Sequence, residues 1–313
     1  MIQTVLGPIA PADLGPTLMH EHVLVDFAGA LVAHPSRYDR DEAFALVLPH
    51  LQRLKEAGCR TLVECTPAYL GRDVTLLARL AKASGLHILT NTGYYGAARD
   101  RHLPPQAYAE SAAGLARRWI GEVERGIEGT GVRPAFMKIG VDAGPLSEVD
   151  GRLVDAAAIV HRETGLRIHS HTSDTAAGLA QLQRLEGQGV PLDAFVWVHA
   201  QGAEPDALVS AASRGAWIEL DGVAPASVDR HAALVMLLAG KGLLDRVLVS
   251  HDAGWYRVGE PGGAPGKFRG YDLIWREFVP RLKERGLEEG QVTQLLVENP
   301  RKALTPRSRK SEV

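Results

Sequence analysis

The chain has 313 residues, 45% apolar and 23% charged, with 35 basic and 37 acidic side chains giving a net charge of −2. This is a globular composition, and its apolar share excludes a chain that stays disordered. No basic stripe is concentrated enough to hold nucleic acid, no apolar run reaches the ~20 residues of a membrane span, and two cysteines, Cys59 and Cys65, imply no disulfide framework.

The first predicted strand, 17–25, reads Thr17-Leu-Met-His-Glu-His-Val-Leu-Val25. Side chains alternate along a strand, so His20 and His22 share one side and Glu21 takes the other, where it is expected to anchor the barrel base or its helical layer. Two imidazoles leaving an apolar strand together can grip one metal ion. A helix over 41–57 follows, then strand 60–65, helix 75–84 and strand 86–90. Cys65 reads as a small apolar filler, with Thr66 and Pro67 shaping the loop after it. A helix over 105–128 leads to strand 135–141, where Lys138 enters an apolar run. An unpaired ammonium is costly there. Lys138 therefore either pairs with a carboxylate such as Glu219, or reacts as the neutral amine with carbon dioxide to give a carbamate that can bridge two cations. Helix 150–163, strand 166–171, helix 175–187, strand 194–199, helix 205–214, strand 216–220, helix 228–240, strand 246–250 and helix 271–285 complete the series. Gly58, Gly85, Gly165 and Gly215 punctuate helix ends. The stretch 259–266 reads as an inserted loop and 306–313 as a flexible tail.

Eight strands with intervening helices predict an α/β fold, a (β/α)8 TIM barrel, as a single domain over 1–313. Such a barrel gathers its functional residues at the C-terminal ends of the strands. His171 closes the fifth strand, His199 the sixth, and Asp252 follows the eighth. With His20, His22 and Lys138 they form a candidate metal site, set against the plainer reading of buried polar groups bonded to backbone. His169 and His251 are read as core filling or support.

On Met19-His-Glu-His22, Met137-Lys-Ile-Gly140, His169-Ser-His-Thr-Ser-Asp174, Trp197-Val-His199 and Val249-Ser-His-Asp252, in that order over essentially the full chain, the sequence resembles the phosphotriesterase-like family of the amidohydrolase superfamily. The resemblance implies two divalent cations. His20, His22 and Asp252 would hold the more buried one, His171 and His199 the more exposed one, and Lys138, as N6-carboxylysine, would bridge them. Zinc is the expected metal, with cobalt, manganese or iron as alternatives. The implied reaction is attack by a metal-bridging hydroxide, with Lys138 and Asp252 as catalytic residues and Asp252 taking up a proton. The expected activity is opening of lactones or cleavage of carboxylic esters. Phosphotriester hydrolysis (an aryldialkylphosphatase) is the enzymatic alternative, and a non-catalytic, metal-stabilised interaction barrel the third reading.

The rim of the pocket is expected to contain Tyr69, Arg72, Tyr94, Tyr95, Trp255, Tyr256 and Arg257, with Lys267 and Arg269 offering charge to a carboxylate or phosphate. Tyr94 is expected near the metal bridge, as in lactonases of the family. The run His199-Ala-Gln-Gly-Ala-Glu-Pro205 departs from the glycine-aspartate signature of family lactonases that act on neutral acyl lactones. A small-molecule substrate, a homodimer, and neither nucleic-acid nor membrane partner complete the expectation. With no signal-like start to the sequence, the expected location is the cytoplasm.

Overall fold

The computed structural model describes residues 1–307. All eight predicted strands form: β1 (Thr17–Val25), β2 (Thr61–Glu64), β3 (His87–Leu89), β4 (Phe136–Gly140), β5 (Ile168–His171), β6 (Phe195–Val198), β7 (Trp217–Leu220) and β8 (Val247–Val249). A ninth, β9 (Gly254–Arg257), falls where a loop was expected. Within the two larger sheets the pairing is parallel, in a four-stranded sheet ordered β9-β1-β2-β3 and a six-stranded sheet ordered β8-β7-β6-β5-β4 that ends on the short strand Asn91–Thr92, while Ile2–Thr4 and Gly7–Ile9 form a separate antiparallel pair ahead of them. Backbone hydrogen bonds also run between the two sheets, from Ala135 N–H to Thr90 O (2.8 Å) and from Asp252 N–H to His20 O (3.0 Å).

Neighbouring residues on each strand bury into different cores. Leu18, Leu62, Ile88, Met137, Trp197, Ile218 and Val247 pack with the helices, whereas Met19, Val63, Leu89, Phe136, Val196, Trp217 and Leu248 form an inner cluster. The helices are α1 (Arg40–Glu56), α2 (Val74–Ser84), α3 (Ala112–Arg125), α4 (Glu148–Thr164), α5 (Thr175–Gly187), α6 (Pro205–Ser213) and α7 (Val228–Gly240). Asp39, Asp73, Ser111, Ser147 and Asp174 accept amide hydrogens of the first turn of α1 to α5 in order. Ser111 also explains why the helix expected over 105–128 divides. By capping Gly114 N–H it starts α3 afresh after the single turn Gln106–Ala109.

Helix 271–285 opens as a π-helix, Ile274–Phe278, before α8 (Val279–Glu284). A helical segment that the sequence reading did not foresee follows, α9 (Glu289–Thr293), π-helix Gln294–Glu298 and α10 (Asn299–Leu304). Both π-segments sit just ahead of a proline, Pro280 and Pro300, which has no amide to donate to the α-helical ladder. Of the tail expected from 306, Arg307 is tied down. Its N–H bonds Gly165 O (3.0 Å) and its guanidinium Asp193 (3.0 Å). Positions 308–313 lie outside the described residues. No helix among the described residues is long and apolar enough to cross a membrane. Cys59 and Cys65 are buried free thiols.

Candidate metal centre

Polar side chains replace apolar ones where the inner face reaches the C-terminal ends of the strands. Strand alternation places Lys138 on the Phe136 side and Glu219 on the Trp217 side, while the pairing of β1 with β2 shifts register between Leu18 and Glu21. His199 and Asp252 turn inward by leaving the strand conformation, with φ of 60° and 52°. Neither is a glycine, so each left-handed backbone costs about 1–3 kcal/mol that surrounding contacts must offset.

Three histidines have Nδ1 held by a neighbouring side chain. His20 Nδ1 faces Asp221 Oδ2 at 3.0 Å and Glu219 Oε1 at 3.1 Å. His22 Nδ1 donates to Thr66 Oγ1 at 2.7 Å, because the single hydroxyl proton of Thr66 goes to Glu64. His199 Nδ1 donates to Asp221 Oδ1. These partners fix the tautomers and direct Nε2 of each ring into the site. There, His20 Nε2 and His22 Nε2 stand 3.2 Å apart. Asp252 Oδ1 lies 3.1 Å from His22 Nε2 and 3.8 Å from His20 Nε2, and has no hydrogen-bond partner. Acceptors thus face acceptors, a repulsive arrangement unless a cation lies among them. The donor set fits a divalent metal.

Two overlapping groups have donor atoms within 4.8 Å of one another, His20, His22 and Asp252 in one and His20, His199 and Asp221 in the other. They form a candidate binuclear centre of the kind a metal-dependent hydrolase carries. The His171 ring lies 4.3 Å from that of His199, and Tyr95 Oη is 3.3 Å from its nitrogens. Lys138 is 2% exposed, with Nζ 5.8 Å from the centre of the Tyr95 ring. It makes no ion pair with Glu219, whose carboxylate is engaged by His20 instead.

The electrostatics follow from burial and these contacts. Desolvation pulls His20 down, but the charge and hydrogen bond of Asp221, with Glu219, push it up to about 10. This favours a proton on the His20 ring in the absence of metal, which a bound cation would displace. Desolvation lowers His22, and it takes His171 well below the usual histidine range, with the charge of His199 adding to the effect. Burial pushes Glu219 up to about 7. Asp221 is also raised by burial, yet His199 and His20 hold it well below the usual carboxylate range.

A cavity of ≈100 Å³ opens over the ligands, walled by Phe27, Pro67, Leu70, Tyr95 and Trp255. The Phosphotriesterase family model matches residues 1–304. The chain belongs to the phosphotriesterase family. It is 30% identical to the phosphotriesterase homology protein of Mycobacterium tuberculosis over 315 residues, covering 96% of each chain. It is 29% identical to the phosphotriesterase homology protein of Escherichia coli over 91% of this chain and 96% of that one. An aryldialkylphosphatase of Saccharolobus solfataricus is 28% identical over 94% and 96% respectively.

Of the nine rim residues expected from sequence, Tyr95 and Trp255 line this cavity. Tyr69, Arg72 and Tyr94 line a second, larger one of ≈420 Å³. Arg72 is buried and committed to Glu122 (2.7 and 2.9 Å), Glu128 (3.3 Å) and Asn91 O (2.9 Å). Tyr95, rather than Tyr94, meets Lys138, while the Tyr94 ring packs on Trp119 with centroids 5.5 Å apart. Tyr256 is buried with its hydroxyl on Glu42 (2.6 Å), and Arg257 stacks 5.4 Å from the Trp255 ring. Lys267 pairs with Glu260 (2.6 Å), and Arg269 donates to the backbone carbonyls of His251 and Asp252. Sequence reasoning missed Asp221, Glu64 and Phe27. The alternation from Trp217 through Glu219 to Asp221 is the one signal that pointed at the first of these.

Proposed function

We propose that this phosphotriesterase-family protein is a binuclear-metal hydrolase that opens lactones or cleaves carboxylic esters. The reading takes the two sheets as one closed (β/α)8 barrel, Lys138 as an N6-carboxylysine bridge, zinc as the metal and the protein as a homodimer. The observation that carries it is the convergence of His20 Nε2, His22 Nε2 and the unpartnered Asp252 Oδ1 beneath a small, apolar-walled cavity.

Two divalent cations held by these residues would supply Lewis acidity and a water nucleophile near neutral pH. Asp252 would both help to hold a cation and take up a proton in the reaction. The Tyr95 hydroxyl beside His171 orients the substrate carbonyl. Phe27 and Trp255, whose rings meet edge-on at 5.6 Å, pack its acyl or alcohol part and exclude water. A planar lactone or ester with one arm in ≈100 Å³ suits this space, whereas a phosphotriester has three arms to place around a tetrahedral centre. The similarity to an aryldialkylphosphatase favours phosphotriester hydrolysis as the second reading.

The test is kcat/KM for matched lactones, aryl carboxylic esters and aryl dialkyl phosphates with metal-replete protein. A preference for the carboxylic substrates is expected, together with loss of activity in folded Lys138→Ala. A clear preference for the phosphate overturns the ranking. Metal binding without any turnover restores the interaction-barrel reading.

A further inference from the structure

Asp252 is the one acidic member of the proposed ligand set, and it stands in a tight turn after β8 rather than on a strand. Its backbone is left-handed, with φ of 52°. The peptide groups on both sides of it are gripped, and the grip comes from Glu21, the residue between the two histidines of β1. Glu21 is fully buried. Its Oε1 accepts from Ser250 Oγ (2.8 Å), His251 N–H (3.0 Å) and His251 Nδ1 (2.7 Å), and its Oε2 accepts from Ala253 N–H (2.8 Å). The network extends outward from there. Ser250 Oγ accepts His20 N–H (2.8 Å), and His251 Nε2 accepts Ile274 N–H (2.9 Å), which places the His251 proton on Nδ1. From the opposite side Arg269 donates to the carbonyls of His251 (3.0 Å) and Asp252. Glu21 therefore anchors the turn that carries Asp252, not the base of the barrel.

We propose that Glu21, with Arg269 as its second arm, is a positioning residue that holds the 250–253 turn in its left-handed form and so aims the Asp252 carboxylate at His20 and His22. A buried carboxylate with four donors has a defined geometry, and removing an acceptor strands buried amide hydrogens. One strand then does two jobs, presenting two histidines on one face and fixing a third ligand from the other. The inference rests on the metal-centre reading.

The test uses the full chain reconstituted with cobalt(II). Wild type, Glu21→Gln and Arg269→Ala are compared by cobalt stoichiometry, chelator competition, ligand-field absorption and circular dichroism. Glutamine keeps the size but turns an amino group towards amide donors, and Arg269 is exposed, so its removal leaves the core untouched. Folded variants are expected to hold one of the two cobalt ions about 10- to 100-fold more weakly, with an altered ligand-field spectrum and a fall in kcat at constant KM. Folded variants with wild-type affinity and spectrum overturn the clamp and leave the metal reading standing. Wild type that takes up no cobalt overturns both. If Glu21→Gln does not fold, Arg269→Ala decides by the same readouts.

Discussion

Both oxygens of Asp221 are occupied by histidines of the proposed metal centre, one by Nδ1–H of His20 and the other by Nδ1–H of His199. Asn in its place offers one carbonyl oxygen and turns an amino group to the other ring; His20 keeps Glu219 Oε1 (3.1 Å), whereas His199 Nδ1 has no second acceptor, so its tautomer is no longer fixed. Asp221→Asn is expected to weaken metal binding about 10- to 100-fold, measured by chelator competition, while Thr66→Val, which supports His22 alone, has the smaller effect. The histidines were legible because alternation along an apolar strand is a strong signal. Asp221 was not, since a lone carboxylate at a strand end is common and its meaning depends on two rings from distant segments. The exchange of Tyr94 for Tyr95 has the same origin. Adjacent residues point in opposite directions, and past the end of β3 the sequence no longer says which direction is inward. The left-handed turns at His199 and Asp252 carry no glycine to announce them.

At the scale of elements, α5 lies so close to β6 that Gly178 has no room for a side chain. A Cβ there would come within 2.0 Å of the Trp197 ring. That ring is not free to retreat, because Trp197 Nε1 donates to Thr172 O at 3.0 Å. Gly178→Ala gains about 1 kcal/mol of helix propensity. It meets an overpacking cost of about 1–3 kcal/mol. The contact is short enough for the cost to win, so a lower urea midpoint with an unchanged slope is expected. A raised midpoint would mean that α5 can slide outward. Strands and most helices were legible at this scale, because each is an apolar run closed by glycine or a cap. The π-segments, the break at Ser111 and β9 were not. They depend on a missing proline amide, a competing cap, and an edge of β1 that β9 pairs with.

Across the whole molecule, the proposed metal centre joins parts that the chain keeps far apart. His20 and His22 belong to the four-stranded sheet, whereas Lys138, His171 and His199 arise from the six-stranded one. Bound metal therefore stabilises the association of the two sheets as well as the local turns. At a thousandfold excess of free metal over Kd the increment is about 4 kcal/mol. Chelation is expected to lower Tm by several degrees in one cooperative transition. The pH dependence has a definite sign. In metal-free protein His20 is pushed up to about 10, so below that pH its ring carries a proton that metal must expel. Each unit of falling pH then weakens metal binding by up to ~10-fold per proton displaced. The gap in Tm between metal-replete and chelated protein should narrow from about pH 8 to about pH 6 at fixed free metal. A gap that stays constant over that range would show that metal binding displaces no proton from His20 there.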